Sequence, residues 1–153
     1  MVKSLIVSKE EIIDANPSDI WEVITTPDYL DEWMYVPGKT SDEGSFGLGS
    51  KIEWINDKGI VYLTGEVIDF VVAERLVISL QDISWETKVP KGTVTYEFHL
   101  TQTDEGTKVK FHLGDLSIDP EGQLWFDAYK SSDEIGAINK MIERKRKERT
   151  TTR

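Results

Sequence analysis

The chain predicts an α+β fold, in which a curved antiparallel sheet of about six strands wraps around a long C-terminal helix and two short helices follow strand 1. Three observations carry this expectation. Two proline-led helix starts follow a first extended run. Five more extended runs come next, each closed by turn residues, with no helical stretch between them. Past Asp119-Pro120 the apolar spacing changes from alternating to helical. Consecutive strands pair antiparallel, and a sheet with one apolar face needs the helix to cover it.

The first strand spans about residues 3–14 and is rich in β-branched residues. Asn16-Pro17 then opens a helix over about 17–25, since an Asn side chain accepts from first-turn amides and proline has the φ that this turn needs. Thr26-Pro27 repeats the device for a helix over about 27–34, and the proline pushes Thr26 itself out of helical geometry. Trp21 and Trp33 ride on these helices toward a core. A Gly- and Ser-rich loop runs from Pro37 to Gly49. The remaining strands are Ser50–Ile55, Ile60–Val72, Leu76–Ile83, Thr93–Thr101 and Thr107 to about Ile118. Leu124, Ala128, Ile135, Ile138 and Ile142 keep helical spacing over about 120–148, with Gly136 as a weak point in the middle.

The last hairpin has the clearest faces. Val94, Tyr96, Phe98 and Leu100 share one side, and Val109, Phe111 and Leu113 share the matching side of the next strand. A turn at Thr103–Gly106 pairs Gln102 with Thr107, Phe98 with Phe111 and Tyr96 with Leu113, which puts every apolar cross-strand pair on one face. His99 and His112 fall on the opposite, polar face, away from any cavity. The chain has 2 histidines and no cysteine, so His-based metal sites, Ser-His triads, thiolate sites and disulfides are set aside. No metal and no cofactor is expected.

Ala15-Asn16-Pro17-Ser18-Asp19-Ile20-Trp21 and Pro27-Asp28-Tyr29-Leu30-Asp31-Glu32-Trp33, set between a strand and a strand-rich body, resemble the opening of the START-like (SRPBCC, Bet v 1-like) superfamily. The branch they resemble most is the one related to the C-terminal domain of the activator of Hsp90 ATPase. The resemblance extends from Ile13 through the terminal helix and implies a helix-grip fold with a cavity between sheet and helix. It implies three functions in descending order. The first is non-catalytic binding of a hydrophobic or amphipathic small molecule, such as a lipid, sterol or polyketide. The second is a protein-partner role like that of the co-chaperone, although the activator has an additional N-terminal domain that this chain lacks. The third is an enzyme of the cyclase or aromatase type.

The residues themselves bear on these choices. The chain of 153 residues, with 39% hydrophobic content, is expected to form one domain over 1–153 with a real core. Its 5 Trp, 5 Tyr and 5 Phe are more than such a core needs, and indole and phenol rings suit a pocket that orients an apolar ligand. The candidate ligand-binding residues are Trp33, Tyr35, Trp54, Tyr62, Leu80, Trp85, Tyr96, Phe98, Phe111, Trp125, Phe126 and Tyr129. Asp69, Asp82 and Asp115 share the parity of apolar neighbours and are candidate polar anchors at the rim. No catalytic residue is assigned. Gly44-Ser45-Phe46-Gly47-Leu48-Gly49 lacks phosphate-loop spacing and leads into a strand, so it is expected to be a loop over the cavity mouth.

Charge narrows the partners. The net charge is −10, yet residues 140–153 hold 7 basic and 2 acidic side chains, leaving 11 basic and 26 acidic elsewhere. An acidic body repels phosphate backbones, so nucleic acid is not an expected partner. The basic tail from about 144 to 153 suits the negative end of a helix dipole. The apolar run at the amino terminus is too short for a membrane span or a signal peptide, and the expected location is cytoplasmic.

Overall fold

The computed structural model describes residues 4–41, 44–85 and 89–151, with the side chains of 149–151 left aside. Six strands form a single antiparallel sheet: β1 (Val7–Ile13), β2 (Lys51–Ile55), β3 (Val61–Val71), β4 (Arg75–Asp82), β5 (Thr95–Thr103) and β6 (Gly106–Gly114). Their spatial order is β1-β6-β5-β4-β3-β2, so the hairpins are adjacent in space and only β1 crosses to the far edge beside β6. The sheet is open and curved, and the helices cover its concave side, as expected of a helix grip.

The helix starts reflect the chemistry of their sequence. In α1 (Pro17–Thr25), Asn16 Oδ1 accepts from the Asp19 amide at 2.9 Å. Thr26 is extended, at φ −98° and ψ 112°, as the proline after it requires. The next segment is a single 3-10 turn over Pro27–Tyr29 running into α2 (Leu30–Trp33), and Thr26 does not cap it as expected, because its hydroxyl donates back to the Glu22 carbonyl at 2.5 Å. Trp21 packs edge-on to Phe70 at 5.1 Å, and Trp33 edge-on to Phe98 at 5.4 Å, which ties both helices to the sheet.

The hairpin of β5 and β6 has the predicted register, with Gln102 opposite Thr107, Phe98 opposite Phe111 and Tyr96 opposite Leu113. Thr103 and Gly106 also pair, so the connection is two residues tighter than expected. Phe98 and Phe111 are buried at 0% and 1% exposure, at the centre of the core. In β3 the register shifts between Val67 and Asp69, leaving Ile68 as an extra residue. This bulge reverses the parity of the rest of the strand, so Phe70 turns inward to Trp21 and Asp69 turns outward to Arg75. The last strand ends at Gly114 rather than near Ile118, and a 3-10 turn occupies Leu116–Ile118.

The long C-terminal helix carries one interruption. Its first part is α3 (Gly122–Ser131) and its second is α4 (Glu134–Thr151), with Ser132 extended between them. Asp133 starts α4 by accepting the Gly136 amide on Oδ1 at 3.0 Å. Gly136 therefore lies in a first turn, where the missing Cβ leaves room for that carboxylate, and not in the middle of an unbroken helix. Ile135, Ile138, Met141 and Ile142 of α4 are all buried against the sheet side and α1 and α2.

Candidate functional site

The cavity lies under α3, at the end of the sheet away from α1. Its walls come from several strands at once, because curvature brings their concave faces toward a common centre. Trp54 enters from β2, Tyr62 and Leu63 from β3, Leu80 and Asp82 from β4, Tyr96 from β5 and Leu113 from β6. Trp85, Val94, Leu116 and Asp119 line it from connecting segments, and Trp125 and Tyr129 close it from α3. It contains about 530 Å³ of unfilled space, counting the solvent-open mouth. About 50 Å³ of that admits the centre of a water molecule, which is room for a few waters at roughly 10–15 Å³ each.

Local chemistry fixes each wall. Trp54 lies over Gly65, where a Cβ would sit 3.1 Å from the indole, and beside Gly38, where one would sit 2.9 Å away. Its Nε1 donates to the Val36 carbonyl at 2.8 Å, which leaves only its apolar surface for the cavity. Trp85 comes after a turn in which Asp82 Oδ1 accepts from the Ser84 amide at 2.8 Å and its hydroxyl at 2.7 Å. The Trp85 indole donates to Asp119 Oδ2 at 2.8 Å. The two carboxylates at the mouth thus hold the turn and the ring. Tyr129 meets Trp125 at 6.3 Å and Tyr35 edge-on at 5.2 Å.

The phenols are held in the protonated, donor form. Burial pushes Tyr96 well above the usual tyrosine value, and the nearby Tyr129 and Glu134 push in the same direction. Burial also raises Tyr129, with Glu134 adding to it. Tyr62 is raised by burial and then by the Asp82 charge. No lysine, arginine or histidine lines the cavity among the described residues. Nor do the described residues contain a group of His, Cys, Asp or Glu that could hold a metal ion.

The twelve expected ligand-binding residues divide. Trp54, Tyr62, Leu80, Trp85, Tyr96, Trp125 and Tyr129 come together at the cavity. Trp33, Phe98 and Phe111 are packed in the core beyond it, and the Trp33 indole donates to the Val23 carbonyl at 3.2 Å. Tyr35 is 52% exposed and touches the cavity only through Tyr129. Phe126, on the other side of α3, lies in a separate surface depression with Ile6 and Val7, and Lys130 sits 5.8 Å above its ring.

Of the three expected anchors, Asp82 lines the cavity. Asp69 lies on the outer face, where the hydrogen bond from Arg75 holds its carboxyl below the usual range. Asp115 accepts the Leu5 and Ser117 amides, each at 2.9 Å. Those bonds outweigh the upward push of partial burial and keep its carboxyl low. None of residues 44–49 lines the cavity; Phe46 is buried instead, its amide donating to Thr25 O at 2.8 Å. Leu63, Val94, Leu113, Leu116 and Asp119 are lining residues beyond the expected set. Alternation had turned Val94 and Leu113 inward, but the height at which a side chain meets the helix depends on sheet curvature.

A curved antiparallel sheet gripping a C-terminal helix, with two short helices after its first strand, defines a START-like protein of the helix-grip type. Residues 14–127 match the family described as Activator of Hsp90 ATPase homolog 1-like protein, and the chain belongs to that family. Among solved structures, a protein from Mesorhizobium loti is 20% identical, with a TM-score of 0.68 over 91% of this chain and 97% of that one. The solution structure of a Cytophaga hutchinsonii protein is 21% identical, with a TM-score of 0.66 over 95% and 97%. The Aha1 dimer from Colwellia psychrerythraea is 19% identical, with a TM-score of 0.52 over 72% and 75%. These likenesses are of fold. No curated protein matches the chain. No helix among the described residues is long and apolar enough to cross a membrane.

Proposed function

We propose that this protein binds a hydrophobic or amphipathic small molecule, without transforming it, in the cavity between the sheet and α3. The observation that carries the reading is convergence: residues from five strands, α3 and the segments between them meet around one space whose walls are almost entirely aromatic and aliphatic. The space is narrow, so a ligand larger than a few waters enters by displacing Trp125, which is only half-buried. The carboxylates present are engaged in holding Trp85, which supports binding over acid–base chemistry. A cytoplasmic location and one domain across the chain belong to the same proposal.

Native mass spectrometry of freshly purified protein, before and after denaturation, tests it. A released small apolar molecule is expected from the wild type, and Leu80→Phe, which fills the cavity, is expected to carry less. The same load on both would put binding elsewhere. A wild type that carries nothing, and whose Trp54, Trp85 and Trp125 indole NMR signals ignore small neutral aromatics, would sink the reading.

A protein-partner role is the second reading, favoured by membership of a family described by an ATPase activator and by the net charge of −10. It predicts partner capture that weakens as salt rises.

A further inference from the structure

Among the described residues, one fully buried side-chain oxygen on the cavity wall has no hydrogen-bond partner. Tyr96 is 3% exposed, and its ring is locked by edge contacts with Phe98 at 5.9 Å and Phe111 at 5.0 Å. The ring position is therefore set by packing, which phenylalanine would satisfy equally well. Its hydroxyl is buried and has no hydrogen-bond partner among the described residues. The other buried side-chain atom in that condition, the Gln81 amide nitrogen, belongs to a residue outside this cavity. A buried hydroxyl left unpaired is unfavourable, and native interiors pair nearly all of theirs.

The surroundings define what would pair with it. Burial keeps the phenol protonated, so it offers a hydrogen and calls for an acceptor. The described lining has no cation to balance an anionic ligand, while Asp82 and Asp119 stand at the mouth. Glu134, 1% exposed and paired with Lys9, also pushes the Tyr96 phenol toward its protonated form. A carboxylate brought here would lose water and find no cation on the described cavity wall, only the Asp82 and Asp119 carboxylates. The rest of the wall is aromatic or aliphatic.

We infer, resting on the small-molecule reading above, that the ligand is an uncharged, mainly apolar molecule whose leading end carries an acceptor oxygen for the Tyr96 hydroxyl, and that carboxylate-bearing lipids are excluded. Carbonyl and ether oxygens both meet this description. The phenol then sets orientation, and the aromatic walls supply affinity.

The test uses the full chain and three probes of similar size: acetophenone, isopropylbenzene and benzoate. Binding is monitored by NMR shifts of the Trp54, Trp85 and Trp125 indole signals, in wild type and Tyr96→Phe. The hydrocarbon is intrinsically the more hydrophobic, so the informative quantity is the ketone-to-hydrocarbon affinity ratio. It is expected to fall roughly fivefold to tenfold in Tyr96→Phe, the worth of one hydrogen bond to an otherwise unpaired donor, with hydrocarbon binding retained. An unchanged ratio overturns the inference and leaves the cavity reading standing. In wild type alone, acetophenone is expected to bind and benzoate to fail; benzoate binding tighter overturns the inference even if the variant does not fold. If neither neutral probe binds, the small-molecule reading falls and takes this one with it.

Discussion

The two halves of the C-terminal helix do different work on the same sheet. α4 turns Ile135, Ile138, Met141 and Ile142 into a core that already holds Phe98 and Phe111, and α1 and α2 flank it. α3 presents Trp125 and Phe126, both half-buried, and leaves Leu124 66% exposed. Under α4 the side chains fill the space; under α3 they line it. The joint is the extended Ser132, held in place from the far edge of the sheet. Lys9 Nζ donates to the Ser132 carbonyl and lies 3.1 Å from its hydroxyl and 3.4 Å from Glu134. The Ser132 hydroxyl reaches the Glu134 carboxylate at 2.7 Å. A helix that turned at this point need not pack uniformly along its length, so one end could become rigid core and the other the wall of a cavity.

Removing the joint should have the largest effect. The Glu134 side chain is 0% exposed and its cation is Lys9, at 19%. Lys9→Met strands a buried carboxylate, and a loss of about 3–5 kcal/mol in urea unfolding is expected. A loss below about 1 kcal/mol would show that water reaches Glu134 and that the joint is not a buried pair.

The next comparison sets one half against the other. Ile138 is 0% exposed, and Ile138→Ala is expected to cost about 2–5 kcal/mol through lost burial and the hole left behind. Trp125 is larger but half-buried, so Trp125→Ala is expected to cost only about 1–2 kcal/mol, because much of its surface is already in water. Equal losses would erase the distinction between a packed end and a lined one.

The packed end was the more legible of the two in the sequence. Alternation in Val94–Leu100 and Val109–Leu113 is strict, and with one turn it specifies both the register and the buried face. Asn16-Pro17 and Thr26-Pro27 announce helix starts through local chemistry that needs no tertiary partner. The bulge at Ile68 was not legible, because an extra residue in a strand changes parity without leaving a composition signal. That is why Asp69 looked like a cavity group and is not one. The helix break was hidden for a related reason: Ser132-Asp133 lies within an apolar spacing that continues on both sides, and only the capping geometry of Asp133 shows that a new helix begins. At the cavity, residue type identified the aromatics well, but Asp119 stands in the sequence only where the apolar spacing changes. Its bond to the Trp85 indole joins positions 34 residues apart, and nothing local signals such a contact.

The smallest expected effect concerns how α4 is clamped to the helices beside it. Arg144 donates to Glu32 at 2.6 Å, and Lys145 is bonded to Glu22 and lies 3.1 Å from the Tyr29 hydroxyl and 4.7 Å from its ring centroid. The basic run thus meets the acidic face of α1 and α2 in addition to the helix dipole. Partial burial pulls the Lys145 ammonium downward, but the bonds to Glu22 and Tyr29 outweigh it and raise its pKa above the usual 10.5. A cation whose pKa is raised by folding holds its proton more tightly in the folded chain. Its contribution is therefore complete below pH 10.5 and declines as pH rises through the higher folded value. Lys145→Met keeps the stem on the Tyr29 ring and removes the charge, and is expected to cost below about 1 kcal/mol at low salt and nearly nothing at 1 M salt, where charges are screened within about 3 Å. The wild-type and variant stability curves should also converge above pH 10.5. A gap that persists in high salt and at alkaline pH would mean that Lys145 does not act through its charge, and that the clamp is not an electrostatic addition to the apolar core of α4.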